Sequence, residues 1–215
     1  MRSRTTVAVL SLVVLAAATT APAAITGLAG GAAAPGATLG PYVMTPFAPD
    51  PSPLFVGVTS VVSPVGGTVD FGALLTHYRI GQGWATWSHG YTGDVYSTAD
   101  ATAVSMTLPA QTQAFYFYAE PDPWAEYTIV ATAQDGTQIT QNINGYAGAA
   151  YYGFYGTDGS FISTIAVTTP QPIGFAIGEF GIATYDSSCI PAPAGILLAA
   201  IGTAVVGQLR RRRVM

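Results

Sequence analysis

Lysine is absent from this chain, cysteine occurs once, and only 8% of the residues carry charge. The single thiol, Cys189, has no partner for an internal disulfide, so the fold must hold without that staple. The seven basic residues are all arginines, and six of them sit at the ends, at Arg2, Arg4 and Arg210 to Arg213. Between Ala24 and Cys189 only Arg79 opposes 11 acidic residues, a net charge of −10 that the overall −4 conceals. A body this acidic repels phosphate backbones, which argues against nucleic acid as a partner, while it tolerates divalent cations. Catalytic signatures are missing too: there is no HExxH, no GxSxG and no Gly-rich phosphate loop. His77 and His89 lie twelve residues apart with no cysteine nearby, which argues against a zinc site. Paired carboxylates could cleave glycosides, but no pair stands out, and the expectation is a protein that is not an enzyme.

The two ends are where apolar residues concentrate. Arg2 and Arg4 precede a short apolar run, Val7 to Ala18, and Ala21-Pro22-Ala23 reads as an A-x-A cleavage site. Residues 1–23 are therefore expected to be a signal helix removed before Ala24. At the other end, Ala194 to Leu209 contains no charge and one amide, Gln208. As a helix these 16 residues would span about 24 Å, short of the roughly 30 Å hydrocarbon core. Arg210, Arg211, Arg212 and Arg213 follow and should stay on the cytoplasmic side. Residues 187–215 thus read as a C-terminal transmembrane segment that leaves the body outside the cell.

The order of parts in this tail, Pro191-Ala192-Pro193, the apolar segment and the four arginines, resembles the PEP-CTERM class of bacterial sorting signals. The resemblance implies an exosortase-like membrane enzyme as a partner, cutting near the Pro-containing box. Where that class usually has Glu, this chain has Ala192.

Residues 24–53 are rich in Ala, Gly, Pro and Thr and read as a flexible lead, with one strand near Tyr42 to Thr45. From Leu54 the pattern becomes short β-rich segments separated by Gly, Pro, Asp and Ser. In Phe115-Tyr116-Phe117-Tyr118 the Phe residues share one face and the Tyr residues the other. Tyr127 to Ala133 and Thr137 to Ile143 alternate on either side of Asp135-Gly136, a hairpin signal. Eight or more such strands, with no helical period and no internal repeat, predict an all-β antiparallel sandwich over residues 54–186. That sandwich is similar to jelly-roll carbohydrate-binding and lectin-like folds. The similarity rests on Ala114-Phe115-Tyr116-Phe117, Tyr127-Thr128-Ile129-Val130, Tyr152-Gly153-Phe154 and Gly174 to Phe180. The function expected first is that of a cell-surface or extracellular-matrix protein; binding of extracellular polysaccharide is the alternative.

His77 to Tyr96 holds both histidines, Arg79 and two of the three tryptophans. Trp84, Trp87 and Tyr91 could offer flat faces to sugar rings, with His89, Asp94 or Arg79 hydrogen-bonding the hydroxyls. The competing expectation is that the tryptophans cover one end of the core. A second group, Glu120, Asp122 and Glu126, places three carboxylates within seven residues, a pattern that could give some ligands to a structural Ca²⁺ without the EF-hand spacing. Glu179 shares a strand face with Phe175 and Ile177, so burial there would demand a partner such as Arg79 or a metal ion.

Overall fold

A computed structural model describes residues 24–185. The signal segment, Cys189, the Pro191-Ala192-Pro193 box, the apolar tail and Arg210 to Arg213 lie outside the described residues. Within them there is no helix. The strands are β1 (Ala24–Gly31), β2 (Thr38–Leu39), β3 (Tyr42–Val43), β4 (Thr45–Pro46), β5 (Gly57–Val62), β6 (Thr68–Ile80), β7 (Gly83–Trp84) and β8 (Asp94–Ser97). They continue as β9 (Ala103–Thr107), β10 (Thr112–Pro121), β11 (Glu126–Ala133), β12 (Gln138–Asn144), β13 (Ala150–Thr157), β14 (Thr164–Thr168) and β15 (Phe175–Thr184). The expected all-β antiparallel sandwich is what forms.

The hydrogen-bonded path runs β1-β13-β10-β15-β8-β6-β9-β14-β11-β12. Strand β6 carries the chain from one layer to the other. β5 pairs with it at Thr68 to Asp70 and again at Leu75 and Thr76, β9 meets it at Asp70↔Thr107, and β8 pairs with Thr76 to Tyr78. Gly72 sits between the two β5 pairings at φ +61, a conformation only glycine adopts without strain, and its N–H is taken by Asp70 Oδ1 at 2.7 Å. The path almost closes. β1 and β12 lie side by side, joined by side chains in place of a backbone ladder: Ile25 N–H donates to Asp135 Oδ2 and Gly31 N–H to Gln141 Oε1. These bonds cover an edge that would otherwise expose unpaired backbone groups.

Between the layers, alternate residues of facing strands form the main core. Phe115 and Phe117 of β10, Tyr152 and Phe154 of β13, Phe175 and Ile177 of β15 and Ile129 of β11 are fully or almost fully buried there. Each such side chain contributes roughly 1.5–3 kcal/mol by leaving water. The sequence pattern of β10 is borne out, since Tyr116 and Tyr118 face the other way. That outer face is also covered, and here the expected flexible lead is corrected. Leu39 and Met44 are buried against Tyr116, Tyr118, Trp84 and Trp87, while Phe47 packs on the main core. β1 pairs with β13 along its length, and β4 pairs with β15. The apolar residues scattered through this Ala/Gly/Pro segment have an apolar face to cover, which is why it is ordered. Apart from these short strands the lead has no periodic pattern.

Candidate functional site

The last strand among the described residues, β15, positions the first polar group. Two residues of β10, Tyr116 and Tyr118, oppose Gly181 and Gly178 of β15, so β15 carries one extra residue, a β-bulge. Glu179 occupies it at φ +51. The bulge reverses the alternation. Phe175 and Ile177 point into the main core, and so do Phe180 and Ile182. The expectation that Glu179 shares the face of Phe175 and Ile177 is therefore corrected: the carboxylate is on the outer face. There it accepts Trp87 Nε1–H at 3.0 Å and His89 Nε2–H at 2.8 Å. His89 has positive φ as well, at 40°. Two non-glycine residues in this costly conformation thus meet in one hydrogen bond, an arrangement that persists only where the surroundings enforce it. Burial raises the Glu179 carboxyl above its ordinary value, with the His89 and Trp87 bonds working against the rise.

The second polar group is Asp94, at the start of β8. Its Oδ1 accepts Arg79 Nη2–H at 2.7 Å, Arg79 Nε–H at 2.9 Å and His77 Nε2–H at 3.2 Å. Its Oδ2 accepts the backbone N–H of Asp50 at 2.8 Å. Asp50 in turn accepts Tyr96 O–H at 2.9 Å. Partial burial works to raise the Asp50 carboxyl, and the bonds from Ser52 and Tyr96 outweigh it, holding it below the usual range. Tyr91 donates its O–H to the Asp94 carbonyl at 3.1 Å. Burial first, then the charges of Glu179 and Asp94, push the Tyr91 phenol far up, so it remains a donor at any physiological pH.

Glu179, Asp94 and Tyr91 share one cavity of about 570 Å³, within the size range of small-molecule sites. Arg79, Tyr116 and Phe47 line it as well. The cavity therefore combines aromatic and proline walls with fixed donors and acceptors. Of the five residues expected to bind ligand, Tyr91 and Asp94 line the cavity, while Trp87 and His89 do not line it and are tied to it through their bonds to Glu179. Trp84 is set apart. Its Nε1–H donates to Glu120 Oε2 at 2.7 Å. Trp84 and Trp87 are only 7% and 5% exposed, so neither offers an open face, and the competing expectation of core tryptophans describes their surroundings. Phe47 and Pro46 form cavity walls that a flexible lead would not supply; the apolar spacing of Leu39, Met44 and Phe47 is the sequence signal for them.

The acidic loop divides its three carboxylates between the interior and the surface. Glu120 is fully buried, accepting Trp84, Thr86 Oγ1–H at 3.3 Å and Gly148 N–H at 3.2 Å, whereas Asp122 and Glu126 are exposed. Among the described residues no group of three or more His, Cys, Asp or Glu is placed to hold a metal ion.

No protein-family profile matches the chain, and no curated protein matches it. Among solved structures it is similar to a point variant of CBM29-2, a family 29 carbohydrate-binding module, at TM-score 0.32 and 11% identity, covering 71% of this chain and 99% of that one. It is also similar to the CBM22-1–GH10 modules of xylanase 10B from Clostridium thermocellum, at TM-score 0.30 and 11% identity, over 56% of this chain and 26% of that one. A third similar structure is CBM29_1 from Piromyces equi, at TM-score 0.26 and 12% identity, over 62% and 97%.

Proposed function

We propose that this is an exported, non-catalytic surface protein whose sandwich binds neutral carbohydrate in the cleft between Tyr91, Asp94 and Glu179. One observation carries the reading: the cavity of about 570 Å³ sets aromatic walls beside hydrogen-bonding groups already fixed by partners of their own. Sugars present an apolar C–H face and a ring of hydroxyls, and such a site meets both. Arg79 holds Asp94 through Nε and Nη2, and its guanidinium has further N–H donors for hydroxyl oxygens. The carboxylates are engaged in structural bonds, which suits orientation of a ligand better than proton transfer to it.

The test is affinity electrophoresis of the full chain in detergent, through gels holding hydroxyethylcellulose, glucomannan or dextran, with alginate as the anionic control. At least one neutral polymer should retard the protein and alginate should not. Phe47→Ala and Tyr91→Phe, checked for native circular dichroism, should weaken the interaction by about three- to tenfold, as expected for one ring contact or one hydrogen bond. Retardation that both variants leave intact would place the ligand elsewhere, and no retardation in any neutral gel would end the reading.

Export and sorting are part of the same proposal, supported by the terminal segments. Intact mass from the native host should show loss of residues 1–23 and of everything after the Pro191-Ala192-Pro193 box. A mass that retains Ala194 to Met215 would make the protein a plain membrane-anchored domain.

A further inference from the structure

At one end of the sandwich the loops β10–β11 and β12–β13 each raise an aromatic ring into solvent. Trp124 is 65% exposed and Tyr146 60% exposed, with ring centroids 5.1 Å apart and planes at 64°. The two rings form an open corner. Nothing about core packing asks for them, since both stand clear of the two buried clusters. Contiguous exposed apolar surface marks interaction sites, and here two large rings adjoin.

The corner is held firmly from beneath. A Cβ at Gly145 would collide with the carbonyl oxygens of Pro121 and Pro123, so the two loops touch backbone to backbone. Gly145 N–H donates to Ala125 O at 3.0 Å and Tyr146 N–H to Asn144 Oδ1 at 2.8 Å. Ala147, at φ +55, gives its N–H to Thr86 Oγ1 at 3.2 Å, and Gly148 gives its own to buried Glu120. A surface fixed in advance loses little freedom when a ligand docks. Beside the rings lies a smaller cavity of about 120 Å³, lined by Trp84, Ala85, Thr86, Asp122 and Trp124. It combines a ring edge with a hydroxyl and an exposed carboxylate.

We propose that Trp124 and Tyr146 form a second glycan contact, stacking one neutral pyranose unit of a chain that also enters the cleft. The proposal rests on the carbohydrate reading of that cleft. Charge selects the occupant: a body with one arginine against 11 acidic residues repels uronic acids, phosphates, anionic lipid and a second copy of itself. A neutral sugar with an apolar face is compatible with that charge and with the two rings, and Asp122 is an acceptor for its hydroxyls. The two sites are linked by one segment. Thr86 lines the smaller cavity and Tyr91 the larger, five residues apart, at most about 18 Å of extended backbone. A short oligosaccharide can reach across such a span, and engaging both contacts raises its affinity over that of a disaccharide.

Tryptophan quenching reads this contact directly, because Trp84 and Trp87 are buried and Trp124 is the exposed one of three. The full chain in detergent is titrated with cellohexaose, mannohexaose, xylohexaose and chitohexaose and with the matching disaccharides, and acrylamide quenching is measured free and saturated. With a hexasaccharide that binds, the quenching constant should fall by about twofold or more as the sugar covers the Trp124 face. Trp124→Ala should weaken that hexasaccharide about tenfold while leaving disaccharide binding in the cleft unchanged, and Trp124→Phe should restore most of the affinity. A hexasaccharide whose binding depends on Tyr91 and Phe47, yet leaves Trp124 fully quenchable and ignores Trp124→Ala, overturns this inference and leaves the cleft reading standing. Protection of Trp124 with no effect of the cleft variants overturns the cleft and with it a chain spanning both contacts, and leaves the two rings as a glycan contact of their own. Absence of binding by every sugar overturns both.

Discussion

Glu120 has its carboxyl group out of water altogether, between Trp84 Nε1, Thr86 Oγ1 and Gly148 N. Burial pushes it up to about 7 from an ordinary 4.5, against the pull of those three donors. The folded state therefore holds this proton more tightly than the unfolded chain does. Stability contributed by the protonated form is present below about pH 4.5 and is lost as pH rises towards about 7, by at most about 3 kcal/mol. Glu179 is raised too and acts in the same direction. Asp50 and Asp135 are held low, so their contribution is lost only in more acidic solution, as pH falls below their usual range. Urea midpoints should thus rise as pH falls from about 7.5 to about 5. Glu120→Gln should flatten most of that slope, since its amide oxygen still accepts the indole N–H but carries no titrating proton. A slope of unchanged size in the variant would place the titration elsewhere.

Among the elements, β15 shows best what a sequence pattern carries and what it hides. Its one extra residue is confined to the stretch between Gly178 and Gly181. Removing Glu179 leaves Phe180 and Ile182 inward and Gly181 outward, in regular alternation with Phe175 and Ile177. The deletion should therefore fold. It should cost about 1–3 kcal/mol, because the buried Trp87 indole loses its acceptor, and it should weaken glycan retention by removing one of the two carboxylates of the cleft. Urea unfolding and the affinity gels measure the two effects separately; a chain that fails to fold would mean the bulge is needed for the sheet itself. Regular alternation was legible. The hairpin around Asp135-Gly136 forms with Thr132 opposite Gln138, and β10 divides its Phe and Tyr residues as its pattern says. The bulge was not legible, because period 2 assumes one residue per partner and places Glu179 inward. Nor were the indole bonds, since Glu120 and Glu179 lie 36 and 92 residues from the tryptophans they hold. Trp124 gives no surface signal in the sequence, because its neighbours there are mainly carboxylates and prolines and its companion Tyr146 arrives from another loop.

For the molecule as a whole, charge is the property that separates the possible ligands. The body's single cation, Arg79, is already bound to Asp94, so no basic patch exists among the described residues to recruit an anion. The surrounding acids act over a Debye length of about 10 Å in 0.1 M salt and much less in concentrated salt. A neutral glycan held by ring contacts and hydrogen bonds involves no net charge transfer to the site, so its dissociation constant should change by less than about twofold between about 0.02 and 0.5 M sodium chloride. The fold itself should gain stability over the same range as repulsion among the acids is screened. An anionic polymer would behave oppositely, held off at low salt and admitted only when the field is screened. Titrating one bound oligosaccharide at both salt concentrations, with thermal unfolding in parallel, distinguishes these cases. Binding that falls steeply with salt would require a cationic surface that residues 24–185 do not contain, and would direct attention to the arginines at the ends of the chain.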